Sequence, residues 1–211
     1  MILALERSTA RGSAALLDDA GALVAAVEDA RGAQGDAYAL VDAVLARGGT
    51  PLSAVTRYAV GTGPGSFSGV RSAIAVLAGL ALPAGGRLEG VGSAAAANAV
   101  FHAAHPGAED VAVVGDARRG RLWIAVFQAR SAPAHAAEDF IVVPHAAVAE
   151  SVPSHAAVIT PDLDRLETLL AAAFPPERVF GVVPTAEAVA RLALSGSSGA
   201  PLPIYLHPAV A

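Results

Sequence analysis

The sequence contains no cysteine and no lysine, so all 14 of its basic residues are arginines. Without cysteine there is no disulfide framework and no thiolate chemistry. Without lysine there is no Schiff base, no Ser–Lys nucleophile pair and no phosphate-binding P-loop, whose glycine-rich turn works with a lysine. Charge is sparse: 16% of 211 residues, against 54% hydrophobic, with a net charge of −5. That balance disfavours nucleic-acid binding over the whole surface. Aromatic residues make up 5% of the chain, and the single tryptophan, Trp123, lies in an apolar strand and reads as core rather than as a stacking platform. Glu6 interrupts the first apolar run without a basic segment before it, which is not a signal-peptide pattern. No apolar run approaches the ~20 residues that span a bilayer. A cytoplasmic chain of one domain or two small ones, with a sizeable core and no membrane partner, is the expectation.

What the chain does have is concentrated in one stretch. Residues 60–71 read Val-Gly-Thr-Gly-Pro-Gly-Ser-Phe-Ser-Gly-Val-Arg, preceded by an apolar strand and followed by an apolar helix that should stop at Pro83. A strand, a glycine-rich turn and a helix in that order aim free backbone N–H groups at whatever lies above the turn, a ready anion site. The helix is apolar nearly all round and should be buried on most of its surface. Its one charge, Arg71, is placed in the first turn, where the helix dipole disfavours a cation and a carboxylate or phosphate partner is expected. Ser66 is not an esterase nucleophile, because Gly65-Ser66-Phe67-Ser68-Gly69 centres on phenylalanine.

Read in order, apolar runs and turn residues give strands at 2–5, 13–17 and 22–27, a helix at 36–47, a strand at 57–61, the apolar helix, a strand at 88–91 and a helix from 93 to about 102. Pro106-Gly107 breaks the chain, and the same order starts again. It runs through strands at 110–115, 121–128 and 140–143, a helix near 144–150, a strand at 156–159, a helix at 162–173, a strand at 178–180 and a helix at 185–194. Each half is an antiparallel meander extended by parallel strands with covering helices, a ribonuclease H-like lobe with a mixed sheet. Two such lobes, residues 1–105 and 106–194, followed by an extended tail at 195–211, make an α/β protein of the actin-like (ASKHA) fold.

Gly63-Pro64-Gly65-Ser66-Phe67-Ser68-Gly69-Val70-Arg71 closely resembles the Gly-Pro-Gly-Ser-Phe-Thr-Gly-Leu/Val-Arg segment of the bacterial TsaB (YeaZ) family. Ile2 to Thr9 is similar to that family's Ile-Leu-Ala-Leu-Asp-Thr-Ser-Thr, Asp116-Ala117-Arg118-Arg119-Gly120 to its start of the second half, and Pro203-Ile204-Tyr205-Leu206 to its Pro-x-Tyr-Leu ending. The resemblance implies a non-catalytic scaffold or activator for tRNA N6-threonylcarbamoyladenosine modification. It would pair with the TsaD threonylcarbamoyltransferase through helices of the first lobe, work with the TsaE ATPase, and reach tRNA through the complex. The resemblance also implies a homodimer when TsaD is absent, and no intrinsic cofactor, with ATP or ADP at the partner interface as the candidate. Glu6-Arg7 stands where the family has Asp-Thr, and Ala33-Gln34-Gly35-Asp36 where it has His-Ser/Ala-Glu, so this chain resembles a diverged member. The rival reading is an actin-like nucleotide-dependent enzyme, a small-molecule kinase or a hydrolase of the old glycoprotease label.

The candidate partner- or nucleotide-interface residues are Gly63, Gly65, Ser66, Phe67, Ser68, Gly69 and Arg71, joined by Glu6, Ser8 and Thr9 at the end of the first strand. For the glycine turn the bland alternative is a tight connection without a ligand. For Glu6, Ser8 and Thr9 it is a solvated hairpin with local side-chain-to-backbone bonds. Asp116, Arg118 and Arg119 are secondary candidates, either for phosphate or tRNA contact or as a solvated hairpin with an internal Asp–Arg pair. His102 and His105 have the spacing of a metal pair but read as helix-end histidines, and no catalytic or metal residue is assigned.

Overall fold

The computed structural model describes residues 1–29, 35–128 and 140–206. Three short apolar runs form the opening meander: β1 (Ile2–Glu6), β2 (Gly12–Leu17) and β3 (Leu23–Asp29) pair antiparallel in sequence. The second turn is fixed by Asp18, whose carboxylate accepts the Ala20 and Ala22 N–H groups. β4 (Arg57–Gly61) then pairs parallel to β1, and β5 (Arg87–Val91) parallel to β4, giving the order β3-β2-β1-β4-β5. The second half repeats the plan. β6 (Val111–Arg118), β7 (Arg121–Phe127) and β8 (Ile141–Pro144) are antiparallel, and β9 (Ala157–Thr160) and β10 (Val179–Gly181) extend them in parallel as β10-β9-β6-β7-β8. The mixed-sheet α/β architecture expected from the strand order is therefore present.

The helices stack these sheets into layers. α1 (Ala37–Arg47) and α2 (Phe67–Ala84) cover the outer face of the first sheet, with Leu40, Val41, Val44, Ala73 and Leu77 packed on Leu3, Leu5, Leu16 and Val60. α4 (Val148–Ser151) and α5 (Leu163–Ala173) cover the outer face of the second through Val148, Leu166 and Leu170. Between the sheets lie α3 (Ser93–Ala104) and α6 (Ala186–Leu194). The last helix of each half reaches across. Val189, Ala190 and Ala193 of α6 pack on Ile2, Ala4 and Ala59 of the first sheet, and Ala94, Ala97 and Phe101 of α3 on Val111, Val113 and Ile159 of the second. Alanine-rich faces let these helices approach closely, and the exchange knits the two sheets through one central layer. Trp123 is buried in this core, as expected.

α2 differs from expectation in three ways. It starts at Phe67, capped by Ser66, so Arg71 sits in its second turn. It continues through Pro83 to Ala84 and ends on Gly85 in the left-handed region. A proline so near the end forfeits a single helical hydrogen bond, which the last turn tolerates. Finally, its outer side is not buried: Arg71, Ala75, Ala78, Gly79 and Leu82 are exposed. The chain turns at Ser195-Gly196 and then runs to Leu206 outside any helix, with Gly199 bridged to Gly90 on β5, an edge strand. Residues 207–211 lie outside the described residues.

Candidate functional site

The glycine turn after β4 is the seat of the turn after β1. Ser66 N–H donates to the Ser8 carbonyl at 2.6 Å. A Cβ on Gly65 would lie 2.1 Å from the Ser8 carbonyl oxygen, and one on Gly69 2.1 Å from that of Arg7. Glycine is required at both positions because another backbone occupies the space of a side chain. The donors aimed upward by the helix start are partly spent on the turn itself: Gly69 N–H goes to the Ser66 hydroxyl at 3.2 Å and Val70 N–H to the Ser66 carbonyl at 3.0 Å.

Glu6, Arg7, Ser8 and Thr9 are all buried, so this part of the hairpin is not solvated, whereas Ala10 and Arg11 after it are exposed; Gly65 and Gly69 pack against the buried backbone. The local bonds expected of it do form, with Glu6 Oε1 accepting from Ser8 N–H at 2.6 Å and Thr9 Oγ1 donating to the Arg11 carbonyl at 2.9 Å. Glu6 Oε2 accepts from Ser93 Oγ at 2.7 Å, and Ser93 Oγ in turn accepts Gly63 N–H at 3.0 Å. One carboxyl thus ties β1 to the glycine turn and to the start of α3. Burial pushes the Glu6 carboxyl above its ordinary value, against the opposing hydrogen bonds from Ser8, Ser93 and the Arg7 backbone.

Arg7 is 2% exposed and belongs to the site, although it is not among the residues expected from the sequence. Its guanidinium donates to Ser72 Oγ at 2.9 Å and to the Gly35 carbonyl. Burial draws its pKa below the ordinary arginine value, opposed by the charges of Asp29 and Asp36. It fills the space between the hairpin turn and the first turns of α2. A charged residue in a polar turn gives no sign of burial; the one available signal was its place in a position where the resembling family has threonine.

At the outer end of the site the chemistry changes. Phe67 is 60% exposed, and Ser68 is exposed beside it. Arg71 places its guanidinium carbon 4.3 Å from the Phe67 ring centre and 5.8 Å from that of Tyr205, and the two rings are 5.8 Å apart. Among the described residues Arg71 meets these rings rather than a carboxylate. A ring face offers a cation partial compensation without a counter-charge.

The secondary candidates assemble separately, in the second lobe. Asp116 accepts from Arg118, N–H at 2.7 Å and guanidinium at 3.0 Å, and Arg165 approaches it at 3.5 Å. Asp162 accepts the Asp116 N–H at 2.9 Å and pairs with Arg165. Arg118 and Arg119 are exposed in left-handed backbone, φ 66° and 55°. This hairpin carries the internal Asp–Arg pair of the bland alternative. His105 caps α3 and stacks on Phe101 at 4.3 Å, a helix-end role. Among the described residues no three His, Asp or Glu side chains converge as a metal set, and no helix is long and apolar enough to cross a membrane. Of the divergent segment 33–36, Ala33 and Gln34 lie outside the described residues, and Asp36 caps α1 through Tyr38 N–H at 2.8 Å.

The family model described as TsaD, tRNA N6-adenosine threonylcarbamoyltransferase, matches residues 31–161. The chain belongs to this family, in its TsaB (YeaZ) branch. Among solved structures it is similar to YeaZ from Pseudomonas aeruginosa, with 28% identity and a TM-score of 0.76 over 97% of this chain and 99% of that one. A second Pseudomonas aeruginosa structure, an uncharacterized protein with similarity to peptidase YEAZ, gives 27% identity and a TM-score of 0.74 over 98% and 99%. The activator of 2-hydroxyisocaproyl-CoA dehydratase from Clostridium difficile, solved with bound ADPNP, is 9% identical with a TM-score of 0.51 over 93% and 95%, a likeness of fold alone. No curated protein matches the sequence. A TsaB-type chain with two mixed sheets has the actin-like fold, and its family is one of tRNA modification.

Proposed function

We propose that this protein is a non-catalytic scaffold or activator subunit for tRNA N6-threonylcarbamoyladenosine modification, pairing with a TsaD-type transferase through α1 and α2. The observation that carries the reading is the uncovered side of α2. A helix apolar all round is a buried helix, yet Ala75, Ala78, Gly79 and Leu82 face solvent, Leu82 at 84%. Tyr38 on α1 extends the same surface, and a shallow groove lined by Tyr38, Val41, Leu45, Leu52 and Leu80 runs between the helices. Small side chains let a partner helix approach closely, and each Å2 of apolar area so covered contributes about 25 cal/mol.

The glycine turn supports an accessory role. In a nucleotide-dependent enzyme the carboxylate after the first strand must be free to hold a metal, whereas both Glu6 oxygens are engaged inside the protein. On this reading ATP or ADP is held at the interface with the transferase, a TsaE-type ATPase joins the assembly, tRNA is reached through the complex, and the chain alone is a homodimer. Light scattering on a size-exclusion column tests the pairing, with the chain alone, with the TsaD-type protein of the same organism, and after Ala78→Glu. A heteromer abolished by Ala78→Glu is the expected result; a heteromer indifferent to it removes α2 from the interface. Calorimetry of the lone chain with ATP and magnesium tests the rival, which requires tight binding.

A further inference from the structure

The Pro203-Ile204-Tyr205-Leu206 ending has a definite seat. Ser198 Oγ donates to Glu89 Oε2 at 2.6 Å, and Arg57 holds Glu89 Oε1 at 2.8 Å while donating to the Ala193 carbonyl at the end of α6 at 3.0 Å. Gly199 and Gly90 exchange two backbone hydrogen bonds, 2.8 and 2.9 Å, on the edge strand β5. Ile204 N–H donates to the Thr62 carbonyl at 2.9 Å, at the threshold of the glycine turn. Anchored at both ends, the segment delivers Tyr205 to Phe67 and Arg71. Leu206 packs against the core beneath the second sheet, but the ring pair does not serve it, because Tyr205 is 48% exposed and Phe67 60%, with Leu202 at 68%.

We infer that the C-terminal segment forms part of the partner face, its Tyr205 and Phe67 holding Arg71 ready for a carboxylate of the partner chain. The inference rests on the proposed pairing through α2. Arg71, Ala75, Ala78 and Leu82 recur at helical spacing along one exposed side, so the clamp is continuous with the apolar stripe. The rings compensate the guanidinium charge without accepting a conventional hydrogen bond, so its N–H groups stay available to an acceptor. The occupant is specified by charge. An Asp or Glu side chain here meets both a cation without a counter-ion among the described residues and the positive end of the α2 dipole, and the flanking aromatic surface excludes water from the pair.

Titration calorimetry with the TsaD-type partner, at low and at high salt, tests this. Tyr205→Ala and Arg71→Gln each weaken Kd at least tenfold, and the double variant is little worse than either, because the two side chains act as a unit. Tyr205→Phe stays within about twofold, since the ring face is what the clamp uses. Arg71→Gln also flattens the salt dependence. Both positions are surface sites, so thermal unfolding of the single variants matches the parent. A Tyr205→Ala chain that pairs with the parental Kd overturns the inference, and does so with the α2 reading intact if Ala78→Glu still abolishes pairing. Loss of pairing in Tyr205→Ala but not in Ala78→Glu upholds the clamp and removes the helix stripe instead. Parental pairing in both removes the two together.

Discussion

The two sheets share one strand order, yet their first turns behave in opposite ways. In the first lobe the first part of the β1–β2 turn is sunk into the molecule, with Glu6, Arg7, Ser8 and Thr9 buried under the glycine turn that follows β4 and only Ala10 and Arg11 exposed. In the second lobe the β6–β7 turn stands out, with Arg118, Arg119 and Gly120 exposed. Topology places a connection beside each turn: the loop after β4 in one case, the loop after β9 in the other. What differs is side-chain content. Gly65 and Gly69 let backbone lie on backbone, and the turns merge. Thr160-Pro161-Asp162 carries side chains, and contact is made through the Asp162 carboxylate, which accepts the Asp116 N–H across the gap and pairs with Arg165. The same fold thus yields a closed turn where residues are removed to glycine and an open, charged turn where they are not.

The sharpest way to break this difference is to put a side chain back. Gly69→Ala sets a Cβ 2.1 Å from the Arg7 carbonyl oxygen, a backbone atom that cannot yield as a flexible side chain would. We expect a loss of about 3 kcal/mol or more in denaturant-induced unfolding, from overpacking and the displaced turn. A chain that kept its parental midpoint would show the first-lobe turn to be as open as the second.

Much of this architecture was legible beforehand, and what was not has a common cause. The strands announce themselves because short apolar runs alternate with Gly, Asp and Pro. Ser66 is a good cap and marks the start of α2, whereas the apolar run alone puts Arg71 in the first turn. Periodicity shows that Val189, Ala190 and Ala193 share a face, but it cannot say which sheet that face covers, so the exchange of α3 and α6 was invisible. Arg7 reads as a solvated turn residue because its partners, Gly35 and Ser72, are distant in sequence. The ending at 203–206 was visible as a motif, but its contact with Phe67 and Arg71 is a matter of tertiary path. Apart from the two ends of α2, which are local, what was missed depends on long-range juxtaposition rather than on local pattern.

The buried turn also carries a pH signature. The Glu6 carboxyl is raised above its ordinary value of 4.5, chiefly by burial. The folded state therefore binds the Glu6 proton more tightly than the unfolded state. The favourable contribution of protonated Glu6 is complete below the unfolded value and is lost as pH rises through the folded one. Glu6→Gln keeps an acceptor for Ser8 N–H and removes the charge, so its Tm should exceed the parental Tm by roughly 2–4 °C at neutral and alkaline pH. The advantage should close at about pH 4, where the parent is protonated as well. A Tm difference independent of pH, or a lower Tm at every pH, would mean that the carboxylate is stabilised in the fold.

The smallest effect belongs to the exposed turn. Arg118 pairs across the hairpin with Arg121, leaving Arg119-Gly120 as a two-residue loop with φ 55° and 70°. Both values are positive, the pattern of a turn that favours Asn-Gly, and a long unbranched side chain at the first position carries backbone strain that asparagine relieves by local hydrogen bonding. Arg119→Asn should therefore raise stability by about 0.5 kcal/mol, read as a higher denaturant midpoint with an unchanged slope. The first-lobe turn admits no such gain, because its shape is set by what lies on it rather than by its own residues. The same substitution isolates the charge of Arg119 from the shape of its turn. If this hairpin meets tRNA in the assembled complex, Arg119→Asn weakens that binding, more at low salt than at high, while the protein itself becomes more stable. Opposite signs for binding and stability would mark a residue kept for contact at the expense of its own turn, and equal tRNA binding would leave the second-lobe hairpin a structural feature only.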